Sequence, residues 1–202
     1  MIAIVDYGVG NLFSLGSSFK AIGEEAVVTR DPDAISGADG IILPGVGAFS
    51  DAIGKLRSTG LDETLKNAAR DGKKILGICL GMQLLFENSL EYGDHKGLGL
   101  LPGVVRPLSG YVPAGLKIPH IGWNALKMTR ASKMFKYSSN GEYVYFVHSY
   151  YADAPSGNIT AVSEYGRDFT ASVEEGNVYG LQFHPEKSGE AGLKMLKAFC
   201  EI

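Results

Sequence analysis

Short apolar runs separated by amphipathic stretches organise the first half of the chain. Ile2-Ala3-Ile4-Val5 is a strand-sized apolar run, and Leu12, Leu15, Phe19 and Ile22 follow at spacings that share one helical face. Ala26–Thr29 predicts a second strand, closed by a turn at Asp31-Pro32-Asp33, and Gly40-Ile41-Ile42-Leu43 a third. Phe49, Ile53 and Leu56, then Leu61, Leu65 and Ala68, mark two helices, with Gly72 placed to end the second. Lys74-Ile75-Leu76 has strand character, whereas Leu84-Leu85-Phe86-Glu87 has a helix-like pattern. Strand–helix alternation of this kind predicts an α/β fold: a mostly parallel central sheet with helices on both faces.

From Val104 onward the texture changes to short β-rich runs, including Tyr143–Tyr151, Ile159–Val162 and Phe169–Val173. These predict an antiparallel β addition, before Glu190–Glu201 returns to a helical pattern. Internal repeats, linkers and low-complexity segments are absent, so residues 1–202 are expected to form one domain.

Composition narrows the class without naming a function. The chain has 45% apolar and 20% charged residues, which is ordinary for a soluble globular protein. A net charge of −3 argues against a nucleic-acid-binding surface. Ile2–Val5 is too short for a signal-peptide core and meets Asp6 at once. Of the two cysteines, Cys200 falls on the apolar side of the last helix with Leu193, Leu196 and Phe199, while Cys79 lies in a different setting. Two cysteines of such unlike character point to a reducing, cytoplasmic location rather than a disulfide framework.

Cys79 stands in Gly77-Ile78-Cys79-Leu80-Gly81-Met82-Gln83, between strand and helix patterns. A small residue two places either side of a nucleophile suits a strained strand-to-helix elbow that exposes the nucleophile at the helix start. The start of a helix also favours thiolate, the reactive form. A buried cysteine ending a core strand is the plainer alternative. About a hundred residues downstream, the run Val178–Phe183 meets His184-Pro185-Glu186-Lys187-Ser188. Proline keeps His184 extended, so His184 and Glu186 can face the same side, a base beside the carboxylate that orients it. Pro44-Gly45-Val46-Gly47 follows the third strand, and such a turn can aim backbone N–H groups at a developing oxyanion, with the amide of Leu80 as second donor.

Other motifs fail. Gly8-Val9-Gly10 opens a helix as a dinucleotide fingerprint would, but Phe13 occupies the third glycine position. No Walker-type Gly-Lys-Ser/Thr is present, and His95, His120 and His148 lack metal-site spacing. His120 and His148 are expected in β structure, each with a hydrogen-bond partner. No cofactor and no metal are expected.

Taken together, these segments resemble the class I (triad) glutamine amidotransferases. Asp6-Tyr7-Gly8-Val9-Gly10-Asn11, His120-Ile121-Gly122-Trp123-Asn124, Phe146-Val147-His148-Ser149-Tyr150 and Phe183-His184-Pro185-Glu186-Lys187-Ser188 resemble, within that family, the glutaminase subunits of imidazole glycerol phosphate synthases. The resemblance spans essentially the whole chain. It implies a catalytic triad of Cys79, His184 and Glu186, an oxyanion hole from the amides of Val46 and Leu80, and a glutamine pocket near Gly47, Gln83, His148 and Ser149. It implies glutamine hydrolysis through a thioester, and a separate (β/α)₈ cyclase subunit that consumes the ammonia in histidine biosynthesis. Asn11, Trp123 and Lys187 are the candidates for the face towards that partner. Rival readings are a glutaminase feeding an amidine-forming enzyme of surface-sugar biosynthesis, a cysteine hydrolase of peptides or small amides, and a silent subunit that only regulates a barrel partner.

Overall fold

A computed structural model describes residues 1–202. In chain order the elements are β1 (Ile2–Val5), α1 (Leu12–Ala21), β2 (Ala26–Thr29), α2 (Pro32–Gly37), β3 (Gly40–Leu43), α3 (Phe49–Ser58), α4 (Leu61–Arg70), β4 (Lys74–Ile78) and α5 (Leu80–Leu84). They continue with β5 (Phe86–Ser89), β6 (His95–Lys96), β7 (Leu101–Pro107), β8 (His120–Ala125), β9 (Lys127–Met128), β10 (Tyr143–His148) and β11 (Tyr150–Asp153). The last are β12 (Ile159–Glu164), β13 (Asp168–Glu175), β14 (Val178–Leu181) and α6 (Gly189–Cys200).

The main sheet runs β2-β1-β3-β4-β14-β13-β12-β9. From β2 to β14 the pairs are parallel, and beyond β14 they are antiparallel. The strands β1, β3 and β4 are apolar on both faces because both are covered. Ala3, Val5, Ile41 and Leu43 pack towards α3 and α4, while Ile2, Ile4 and Ile42 pack towards Phe19 of α1 and Leu196 and Phe199 of α6. This is the α/β arrangement expected from the sequence.

The structure corrects four local expectations. Asp31-Pro32-Asp33 is no bare turn: Asp31 caps α2, its side chain accepting the Asp33 N–H at 3.0 Å, with proline in the first turn where its missing donor costs nothing. The helical pattern at Leu84–Glu87 breaks after Leu84, and Phe86 starts β5. There Phe86 pairs with Leu101 in a second sheet of order β11-β7-β5-β6, so tertiary pairing overrides the local pattern. Tyr143–Tyr151 is two strands. β10 pairs with β8 in a separate two-stranded ribbon, and after Ser149 the chain crosses into the second sheet as β11. The addition is also not wholly antiparallel, since β5 and β7 pair in parallel.

In register, Leu43 lies opposite Gly77, and Ile78 opposite Leu181. The segments that leave β3, β4 and β14 therefore emerge side by side at the carboxyl edge of the sheet, where open α/β sheets place their ligands.

Candidate active site

Cys79 follows β4 directly and has φ 55° and ψ −113°, a conformation strained for any residue with a side chain. The flanking glycines make that turn possible by contact. A Cβ on Gly81 would lie 1.9 Å from the Leu43 carbonyl oxygen, and one on Gly77 would lie 2.6 Å from the Met82 Cα. The backbone N–H of Cys79 donates to the Leu181 carbonyl at 2.8 Å, locking the elbow to the end of β14. The helix that follows is only five residues long, so its dipole gives a thiolate less help than a full helix would.

His184 has φ −96° and ψ 99°, extended as proline at the next position demands. Its Nδ1–H donates to Glu186 Oε1 at 2.8 Å, and both side chains are almost wholly buried. Nε2 has no protein hydrogen-bond partner, which leaves it available on the Cys79 side. Burial by itself lowers the imidazole, but Cys79 and Glu186 outweigh it and push His184 up to about 9. A folded value above the unfolded 6.5 means that His184 contributes stability fully below about pH 6.5 and loses it as pH rises through about 9. Urea unfolding measured across that window is expected to show the decline, and Cys79→Ala, which removes the largest raising partner, to flatten it. A wild-type curve with no decline would refute this electrostatic picture.

Cys79, His184, Val46, Gly47, Leu80, Gln83, His148 and Ser149 all line one cavity of about 400 Å³. Val46 and Gly47 belong to the Pro44–Gly47 turn, and Gly47 adopts φ +93°, which glycine tolerates. The Tyr7 hydroxyl donates to the Pro44 carbonyl at 2.7 Å and tethers this turn to the end of β1. Gln83 is buried one turn past Cys79, and its Nε2 donates to the Tyr150 carbonyl at 3.1 Å and to Gln182 Oε1 at 2.9 Å. Both of its N–H groups are thereby used, and Oε1 is the atom it can offer a ligand.

His148 is neutral: burial drives it down to about 3. Its Nδ1–H donates to the Tyr150 carbonyl at 2.8 Å, and its Nε2 lies 3.0 Å from His120 Nδ1. With both ring nitrogens engaged, His148 presents carbon atoms to the cavity. Sequence reasoning passed over Glu91, which is buried and is the one carboxylate lining the cavity. Burial raises its carboxyl above the usual range, while the Phe49 N–H, donating to Oε2 at 2.9 Å, acts the other way. Its neighbour Tyr92, 87% exposed with φ 53°, stands at the rim.

The candidates for a partner face lie elsewhere. Trp123 is 53% exposed on β8, beside Tyr145 of β10 at 5.9 Å between ring centroids, and Lys187 Nζ stands 5.8 Å over the Tyr145 ring. Asn11 is the half-buried residue that precedes α1. Cys200 is half-buried against the core, and burial pushes its thiol up to about 11.

The profile of the family "Glutamine amidotransferase class-I" matches residues 3–202. The chain is 51% identical over 199 residues to the imidazole glycerol phosphate synthase subunit HisH of Bacillus cereus, covering 98% of this chain and 93% of that one. It is 49% identical over 203 residues to the HisH subunit of Methanothermobacter thermautotrophicus, covering 100% and 98%. In fold it is similar to a crystal structure of a glutamine amidotransferase, with TM-score 0.78 at 20% identity over 100% of this chain and 98% of that one. It is likewise similar to PurLQS from Thermotoga maritima, with TM-score 0.76 at 23% identity over 99% and 97%. With a family match over nearly every residue and relatives at about half identity end to end, this chain belongs to the class I glutamine amidotransferases, in the branch of the HisH subunits.

Proposed function

We propose that the chain is the glutaminase of a two-subunit imidazole glycerol phosphate synthase, releasing ammonia from glutamine for a separate (β/α)₈ cyclase in histidine biosynthesis. The observation that carries this reading is the cavity where Cys79, His184, Gln83 and Glu91 meet. With the thiol proton already taken up by His184, Cys79 Sγ attacks the side-chain amide carbon of glutamine. The same proton passes to the departing nitrogen, ammonia leaves, and a thioester remains. Water, deprotonated by His184, then attacks the thioester and releases glutamate. Glu186 holds the imidazole in the useful tautomer. The amides of Val46 and Leu80 bind the oxyanion, each contributing about 3 kcal/mol in the transition state. Glu91 receives the substrate α-ammonium, Gln83 accepts through Oε1, and Gly47, His148 and Ser149 complete the walls. No metal or cofactor enters this chemistry.

Ile121, Trp123 and Tyr143 are exposed on the β8–β10 ribbon, and Lys187 borders Tyr145. This aromatic face, with Asn11, is the docking surface we assign to the cyclase. No helix is long and apolar enough to cross a membrane. The unpaired Cys79 and Cys200 suit a reducing compartment, and on that ground we place the chain in the cytoplasm.

A glutaminase running without its partner would waste glutamine, so the oxyanion turn is the natural place for control. The glycines flanking Val46 allow its peptide to rotate between a form that aims the N–H at the oxyanion and one that does not. Coupling of ordinary size, ~1–3 kcal/mol, would raise the rate about 5–150-fold on assembly and acceptor binding. The test is the glutamate-release rate for the chain alone, with a cyclase subunit, and with cyclase plus ribonucleotide acceptor. A stepwise rise with imidazole glycerol phosphate as product is expected. Three similar rates would refute the switch. Absence of glutamate release in the full complex, or cleavage of peptides instead, would sink the reading itself.

A further inference from the structure

The buried amide of Gln182 lies beside the sulfur of Cys79, and no step of the chemistry above uses it. Gln182 is fully buried, immediately after β14 and two residues before His184 in extended chain. Its Nε2 is 3.8 Å from Cys79 Sγ. An amide side chain can be turned either way about, so the orientation must be argued from its partners. The Tyr150 carbonyl can only accept, so the Gln83 atom facing it at 3.1 Å is the donor Nε2. That same nitrogen faces Gln182 at 2.9 Å, so the Gln182 atom opposite must be the carbonyl oxygen. Nε2 of Gln182 is therefore left pointing at the sulfur. A backbone carbonyl fixes Gln83, Gln83 fixes Gln182, and Gln182 presents an N–H to the nucleophile.

Besides His184, the sulfur has a second polar neighbour in the Val147 carbonyl at 3.8 Å. This oxygen accepts the hydrogen of a neutral thiol and repels a thiolate. An N–H does the opposite, strengthening as the sulfur gains charge. We infer that Gln182 is a positioning residue for the nucleophile: its amide, held in one orientation by Gln83, donates to the Cys79 sulfur and favours the thiolate over the thiol. This rests on Cys79 being the nucleophile but adds a group outside the triad and the oxyanion hole. It also gives Gln83 a second role, behind the substrate pocket as well as lining it.

The test reads the sulfur directly and needs no glutamine turnover. Iodoacetamide alkylation of Cys79 is followed against pH in the full chain, for wild type, Gln182→Met and Gln182→Glu. Methionine keeps the length without the donor, while glutamic acid keeps the shape and, ionised, sets a carboxylate oxygen against the sulfur in place of the N–H. Both variants are expected to alkylate about tenfold more slowly at neutral pH, with the high-pH plateau unchanged, the size expected for losing one hydrogen bond to a charged group. Gln83→Met, which frees Gln182 to turn, is expected to lie between. A merely structural loss would change the plateau and the Cys200 rate instead. Should the Gln182 variants not fold, wild-type protein carrying ¹⁵N-glutamine gives the second measurement: the Gln182 side-chain N–H shift is expected to follow the Cys79 titration and to cease doing so after alkylation. An unaltered alkylation profile in folded variants, or a Gln182 signal indifferent to the sulfur, overturns the inference even if the chain hydrolyses glutamine. A shifted profile in a chain that never releases glutamate would overturn the glutaminase reading alone.

Discussion

Cys79→Ala is expected to abolish glutamine-dependent synthesis by the assembled complex while leaving synthesis from ammonium salts largely intact. The loss should be on the order of 10⁵–10⁶ in rate, the size seen when a covalent nucleophile is removed from a triad. The alanine is smaller, and the elbow geometry depends on Gly77, Gly81 and the Cys79–Leu181 backbone bond rather than on the sulfur, so the fold should survive. Ammonia supplied from solution bypasses the thioester, which is why that activity separates chemical failure from failed assembly. A glutamine-analogue electrophile gives an independent reading. It should label Cys79 and spare Cys200, whose half-buried thiol is pushed up to about 11 and has no histidine beside it. Equal labelling of the two cysteines, or glutaminase activity retained in the alanine variant, would remove Cys79 from the mechanism.

The parts of this site that are readable in the chain are those where local chemistry and tertiary structure ask for the same residue. Gly77 and Gly81 signal an elbow because the turn excludes side chains at both places, one by contact with Met82 and the other with the Leu43 carbonyl. His184 and Glu186 can be paired on paper because proline makes the backbone extended, and two residues apart in extended chain means the same side. The central strands were visible because burial on both faces leaves unbroken apolar runs. Phe86 was misread because nothing local distinguishes a helix that continues from a chain that turns to pair with Leu101. The break at Ser149 has the same origin: β10 and β11 look like one strand until two different partners claim them. Glu91 and Gln182 were out of reach for another reason. A carboxylate in an irregular segment and an amide at the end of a strand carry no motif, and their meaning lies in what folds against them, the cavity wall in one case and the Cys79 sulfur in the other.

His184→Ala and Glu186→Gln should both cripple glutamine hydrolysis, and the histidine variant should be the worse. Without His184 no group takes the thiol proton or returns it to ammonia, and the expected loss approaches that of the nucleophile, on the order of 10⁵–10⁶. Glu186→Gln keeps an acceptor near Nδ1–H but removes the negative charge, and a neutral substitute at this place in a triad costs up to about 10⁴. The pH profile discriminates further. Burial favours neutral imidazole at His184, and Cys79 and Glu186 together reverse that preference and lift it to about 9. Taking away the Glu186 charge removes one of the two lifting partners, so the imidazolium loses its proton at lower pH. The basic limb of kcat/KM, where the acid that protonates ammonia disappears, should therefore move to lower pH in Glu186→Gln. Steady-state glutamate release across pH in the assembled complex measures both effects at once. A Glu186→Gln enzyme equal to or worse than His184→Ala would mean that the carboxylate does more than orient and charge the base. An unmoved basic limb would mean that the imidazolium is held by Cys79 alone, and that Glu186 serves only to fix the ring in place.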